Sequence, residues 1–243
     1  NIKLDKVLHA SLAGRPVTSV NLKDAKLGDG LALITARFLR LSPAVTDVNL
    51  DNNGIRTEGA KVIAKALRHS PAITRLDLSH NAFGDEGAAR LLKAISHNSG
   101  LHTLKMALSQ IGSDSVAVLE VLLENHPALH TLDLKENSIG DFGTRKLCLA
   151  LMHNTSLTSL NLSDNGVAVF GSIALGQLLA GNTTLTTLRV SDNQVDDQGG
   201  WQFLEGLKSN TTLKYLDIRR NYLPDQLKEE FRNMRSDTFW CDV

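Results

Sequence analysis

Residues 157 to 167 read L-T-S-L-N-L-S-D-N-G-V, from Leu157 to Val167, and the same skeleton of apolar positions returns every 28 residues along this 243-residue chain. Counted from its first apolar residue, the skeleton starts at Val17, Val45, Ile73, Leu101, Leu129, Leu157, Leu185 and Leu213, with no insertion between the eight units. The fourth and sixth positions are apolar as well, as in Leu76/Leu78, Leu132/Leu134 and Leu188/Val190. That alternation belongs to a strand with one buried face, and it predicts about five to six residues of strand per unit. Between strands, pairs four apart such as Ile63/Leu67 and Leu91/Ile95 predict amphipathic helices near Glu58 to His69 and Glu86 to His97. A gapless period of this length predicts one elongated solenoid in which each unit buries its face only against its neighbours. The ninth position is Asn53, Asn81, Asn137, Asn165, Asn193 and Asn221 in six units, with Ser109 and Ala25 in the other two. An amide there both donates and accepts, so it satisfies backbone groups left open where each strand bends away.

The skeleton L-x-x-L-x-L-x-x-N followed by a helix resembles a leucine-rich repeat, and the 28-residue period with G-D-E-G-A-A-R-L-L at Gly84 to Leu92 is similar to the ribonuclease-inhibitor-like class. The resemblance implies an α/β fold, a right-handed α/β solenoid or horseshoe, with parallel strands on the concave face and helices on the convex face. Residues 17–223 then form eight leucine-rich repeats. Residues 1–16, with Leu4, Val7, Leu8 and Leu12 at helical spacing and Gly14 and Pro16 as a stop, are expected to be an N-terminal cap or the helical half of a preceding repeat. Residues 224–243 are expected to be a C-terminal cap: Asp225 caps a helix through about Arg235, and Phe239 and Trp240 cover the last repeat edge. The first unit departs most from the pattern, and its unusually apolar helix, Leu31 to Leu41, suits a terminal unit packed against a cap.

With 26 basic and 26 acidic residues the formal net charge is zero, which removes the electrostatic argument for general binding to nucleic acid or membrane. No apolar run approaches the length of a membrane span. Two cysteines, Cys148 and Cys241, make no disulfide framework, so a reducing compartment is expected, a cytoplasm or a host cytoplasm. Asn154, Asn161, Asn182 and Asn210 fit the N-x-S/T pattern, but three of them mark the same turn of the repeat, which accounts for them without a sugar. His102 and His130 share a column but lack a third ligand, and D-N-Q-V-D-D-Q-G-G at Asp192 to Gly200 has Asp197 where a calcium loop needs Gly. No metal, cofactor or catalytic residue is expected. Since fold is not function, the class implies only an expectation: a non-enzymatic scaffold that binds a protein partner through its concave face or flank. The resemblance leaves three alternatives, namely a sensing domain of a larger innate-immune-type receptor, a bacterial effector recruiting a host protein, and a regulator of a small GTPase. Neither the partner's identity nor the oligomeric state follows from the residues.

Two surfaces are candidates for that partner. Side chains at the third, fifth, seventh and eighth positions are expected to point off the concave face. They include Asp47, Asn49, Asp51, Arg75, Asp77, Lys105, Leu108, Asp133, Glu136, Asp164, Arg189, Asp192, Tyr215 and Arg219. Eight strands at about 4.8 Å make a strip ~38 Å long and ~13 Å wide. That is less than the roughly 800 Å² per partner of a standard interface, so a globular partner also needs a flank. The second candidate is that flank, where the fourteenth and seventeenth positions place Phe142, Phe170, Ile173 and Trp201 on the helices. Either these four fold into the grooves between helices and complete the core, or they form an exposed apolar ridge.

Overall fold

The computed structural model of the chain describes residues 2–13 and 16–243; Gly14, expected to stop the first helix, and the side chain of Leu12 lie outside the described residues. Helices and strands alternate throughout: α1 (Ile2–Leu12), β1 (Ser19–Asn21), α2 (Gly28–Leu41), β2 (Asp47–Asn49), α3 (Thr57–Leu67), β3 (Arg75–Asp77), α4 (Gly84–Ile95), β4 (Thr103–Lys105), a 3-10 turn (Ser113–Ser115) leading into α5 (Val116–Asn125), β5 (Thr131–Asp133), α6 (Gly140–Leu151), β6 (Ser159–Asn161), α7 (Val169–Gly181), β7 (Thr187–Arg189), α8 (Asp197–Ser209), β8 (Tyr215–Asp217), α9 (Asp225–Asn233) and β9 (Trp240–Asp242). The nine strands among the described residues lie in one parallel sheet in chain order, and the first seven pairings hold the 28-residue register, Val20 beside Val48 beside Leu76 and onward to Leu216. This is an open α/β solenoid. Strands repeat at about 4.8 Å while packed helices need about 8 to 10 Å, so the stack bends with its strands inside.

One continuous core runs the length of the stack. The first, fourth and sixth skeleton positions are buried in every unit from the second to the eighth, and Phe83, Phe203 and Phe231 are the largest side chains fully buried with them among the described residues. Each strand is three residues long, shorter than the alternation predicts. The reason lies at the eighth position. Asp24, Asn52, His80, Leu108, Glu136, Asp164, Asp192 and Arg220 all hold left-handed backbone, with φ from 46 to 57, and this turns the chain out of the sheet.

Two ladders of side chains tie the units together. At the ninth position, Asn193 Oδ1 accepts from the backbone N–H of Asn165 (3.0 Å) and Val167 (2.9 Å), while its Nδ2 donates to Leu162 O (2.9 Å) and Val190 O (3.0 Å). Asn53, Asn81, Asn137, Asn165 and Asn221 also bridge to the preceding unit. The second ladder, which sequence reading took only as a turn, runs along the opposite end of the strands. There Asn154, Asn182 and Asn210 donate to Leu123 O, Leu151 O and Leu179 O at 2.6 to 2.8 Å. Asn154 and Asn182 are buried and their amides committed, so their N-x-S/T context reflects packing.

A third device alternates. In the first, third and fifth units Gly28, Gly84 and Gly140 hold φ of 54, 61 and 62, and the Asp that follows caps the helix of the next unit. Asp29 Oδ1 accepts from Arg56 N (2.8 Å) and Gly59 N (3.0 Å), Asp85 Oδ1 from Gly112 N (2.8 Å) and Ser115 N (3.1 Å), and Asp141 Oδ1 from Ala168 N (2.7 Å) and Gly171 N (2.8 Å). A carboxylate at a helix N-terminus satisfies open donors and complements the dipole. The alternation stops in the seventh unit, where Asp196 caps its own helix through Gly199 N (3.0 Å).

The ends differ from expectation. Residues after α9 form a ninth strand, with Trp240 beside Tyr215 and Asp242 beside Asp217. Asp225 makes no cap; Pro224 precedes the helix and the Asp225 carboxylate meets Lys228 at 3.3 Å. At the other end α1 buries Leu4, yet Leu33, Ile34 and Leu41 on α2 are exposed rather than covered.

Candidate functional site

The strand face is a strip of short polar contacts. At the fifth position the side chains fold back on their own backbone. Asn49 accepts from Asp51 N (2.9 Å), Asp77 from Ser79 N (3.1 Å), Asp133 from Lys135 N (3.1 Å) and Asp217 from Arg219 N (3.3 Å). Such i to i+2 bonds are a local Asx habit, and they commit part of each group's capacity to the turn. At the third position Arg75 pairs with Asp47 across two strands.

The seventh position is a correction. Asp51, Ser79, Ala107, Ser163 and Ser191 are buried there, because the alternation that predicted exposure ends with the three-residue strand. Asp51 sits beneath Lys23 Nζ (2.8 Å) and His80 Nδ1 (2.7 Å). Burial pushes its carboxyl up, but the hydrogen bonds and charge of Lys23 and His80 outweigh this and hold it below the ordinary carboxylate value. Arg219 stays exposed over buried Asp217 (2.8 Å), and Arg220 Nη2 meets Asp192 at 2.6 Å, which lowers the pKa of Asp192. Glu136 pairs with Lys135 at 2.7 Å. Lys105, Leu108 and Asp164 project from the strip, and the Lys105 and Asp164 side chains make no polar contact among the described residues.

The C-terminal end of the strip concentrates aromatic and guanidinium groups. Tyr215 donates to Asp242 Oδ2 (2.7 Å), Trp240 Nε1 donates to Asp242 Oδ1 (2.9 Å), Arg189 lies 5.1 Å over the Tyr215 ring and Arg235 4.4 Å over that of Trp240. Partial burial, with the Asp242 hydrogen bond, pushes the Tyr215 hydroxyl up to about 12. Sequence reading found only Tyr215 on this surface; Trp240 joins it because β9 pairs in register with β8, which no repeat motif announces.

On the helices Phe142 is 65%, Phe170 72% and Trp201 47% exposed, with Ile173 half-buried. Phe142, Phe170 and Trp201 do not fill the inter-helix grooves, and between α7 and α8 the reason is geometric. A Cβ on Gly176 would lie 2.5 Å from the Gln202 backbone and one on Gly206 2.2 Å from Gly176 O, so α7 and α8 are already in backbone contact. The band extends further than expected, since Val121, Leu149 and Met152 are also exposed. Val121 and Leu149 are 28 residues apart at one skeleton position, a signal the sequence carried.

The rings of His102 and His130 lie 5.2 Å apart between centroids and tilted by 54°, and the Nδ1 of His130 is hydrogen-bonded to Ala128 O. Among the described residues no group of three or more His, Cys, Asp or Glu is arranged to hold a metal ion. Both cysteines are free and buried, and desolvation pushes the thiol of Cys148 far up. No helix among the described residues is long and apolar enough to cross a membrane.

Sequence profiles described as Leucine Rich repeat match residues 42–64, 69–92, 153–174 and 181–200. These four stretches are leucine-rich repeats. Among solved structures it is similar to the tropomodulin C-terminal domain of Caenorhabditis elegans, at 15% identity and a TM-score of 0.53 over 62% of this chain and 92% of that one. It is also similar to the internalin inlF of Listeria monocytogenes, at 19% identity and a TM-score of 0.56 over 93% of this chain and 60% of that one. At these identities the likeness concerns the fold. Among curated proteins none matches the chain.

Proposed function

We propose that this chain is a protein-binding scaffold of the ribonuclease-inhibitor-like kind that engages its partner through the apolar band on α5 to α8. The observation that carries this reading is Phe170, 72% exposed on α7, a helix that contains no charged residue at all (VFGSIALGQLLAG). A helix apolar all round is ordinarily covered on every side, and apolar side chains exposed on four successive helices mark an interaction surface. Segments 1–16 and 224–243 serve as end caps in this reading, supported by buried Leu4 at one end and by Leu227 and Phe231 at the other. The Tyr215, Trp240 and Arg189 corner favours a second, concave reading, because Trp, Tyr and Arg are the side chains that dominate interface energetics.

Affinity capture by the immobilised chain, compared across variants, separates the two. Phe170→Asp combined with Trp201→Asp is expected to lose the partner while Trp240→Ala keeps it. Loss through Trp240→Ala alone replaces the helix band by the concave corner, and a partner indifferent to all of these substitutions discards both surfaces.

A further inference from the structure

The outer faces of α2 to α4, at the opposite end from the α5 to α8 band, carry a different chemistry. A groove of about 580 Å³ lies between α2 and α3. Leu33, Leu41 and Val62 form its apolar lining, and Arg37, Arg40 and Lys65 stand along it. A second hollow of about 400 Å³ continues between α3 and α4 past Arg68 and Arg90. Leu33 and Leu41 are 60% and 74% exposed. Arg37, Arg40, Lys65, Arg68 and Lys93 are all exposed, and none forms an ion pair among the described residues. At one end of the second hollow Lys61 lies 2.8 Å from both Glu58 and Glu86, so this trio carries one net negative charge. Basic residues in a last helical turn complement the dipole, which accounts for Arg40, Lys65 and Lys93. It does not account for Arg37 and Arg90, nor for leucines left in water beside them.

We infer that this groove is the docking site of an acidic amphipathic helix from a protein partner, its apolar stripe seated on Leu33, Leu41 and Val62 and its carboxylates on the flanking arginines and lysine. Helix-in-groove recognition joins an apolar stripe to a trough of matching length. On α2 the lining runs from Leu33 to Leu41, a trough about 12 Å long that seats two to three turns of a helix. Charge complementarity chooses the occupant: the charged side chains that line the groove itself, Arg37, Arg40 and Lys65, are all positive and unpaired among the described residues, so a basic or neutral helix gains only the apolar contact. A trough suits a helix better than a planar lipid surface does. The inference is independent of the α5 to α8 reading, and Phe170→Asp leaves this site intact.

The probe is a fluorescent synthetic peptide of about 16 residues, roughly four helical turns, with Leu along one face and Glu along the other. Its Gln-for-Glu twin, a scramble of the same composition and phosphatidylserine vesicles are run beside it. By anisotropy the Glu peptide is expected to bind, to weaken as salt is raised, and to lose about tenfold or more in affinity with Arg37→Glu/Lys65→Glu and with Leu41→Ser. These side chains are exposed, so far-UV circular dichroism stays at wild type; if the reversal unfolds the chain, Arg37→Gln/Lys65→Gln reads the same contact. Equal binding of the scramble, affinity unchanged in the variants, no binding of the Glu peptide to the folded chain, or binding of vesicles in place of the peptide each overturns the inference.

Discussion

The third and fourth units, residues 73–100 and 101–128, share one register but not one set of supports. In the third, Asn81 Oδ1 holds Asn53 N at 3.2 Å and Ile55 N at 3.0 Å, and Asn81 Nδ2 donates to Leu50 O at 3.0 Å. In the fourth, Ser109 is too short for this. Its hydroxyl reaches Ala107 O (2.9 Å) and Leu78 O (3.5 Å), and among the described residues it accepts from no backbone N–H of the third unit. The helix then begins through a 3-10 turn, His126 replaces Asn in the second ladder, and Leu108 takes the left-handed position that its neighbours mostly give to polar residues. The difference teaches that the apolar skeleton is enough to keep register, whereas the buried amides set how strongly each unit grips the one before it.

That comparison breaks or sharpens at particular residues. The largest effect is expected from Asn193→Ala, which strands several buried donors and acceptors; denaturant unfolding is expected to show a loss of about 3 kcal/mol or more, against about 1 kcal/mol for Ser109→Ala. Equal losses would mean the ladder matters no more where it is complete than where it is broken. Next, Ser109→Asn supplies the missing amide and is expected to gain about 1 kcal/mol. Leu108 is 46% exposed with φ of 46, and Leu108→Asn, which tolerates that backbone, is expected to gain about 0.5 to 1 kcal/mol. A loss of stability there would show that Leu108 contributes packing that outweighs its strain.

The smallest effect concerns pH. Burial holds the His126 pKa below its ordinary value of 6.5, with the charge of His102 acting in the same direction and the hydrogen bond to Asn98 O opposing both. The folded chain therefore binds this proton less readily than the unfolded chain. The stability from neutral His126 is present above about pH 6.5 and is lost as pH falls through the depressed folded value. Melting temperature measured between pH 7 and 5 is expected to fall less steeply in His126→Asn than in the parent chain, and parallel slopes would refute the assignment.

Much of the fold is legible along the chain because strand alternation and the 28-residue spacing are local properties: each apolar position is buried by the equivalent residue one unit away, whatever the partner surface is. The ninth-position amides are legible for the same reason. The seventh-position side chains were misplaced because their burial depends on where the strand stops, and the Gly-Asp caps were missed because Asp29 serves Arg56 N, 27 residues later, rather than its own helix. Tertiary structure alone decided three matters: that β9 brings Trp240 beside Tyr215, that backbone contact between α7 and α8 leaves Phe170 in solvent, and that α1 leaves Leu33 and Leu41 open. Each turns on the distance between surfaces that neighbouring elements present, and a one-dimensional pattern carries the period of those surfaces but not their separation.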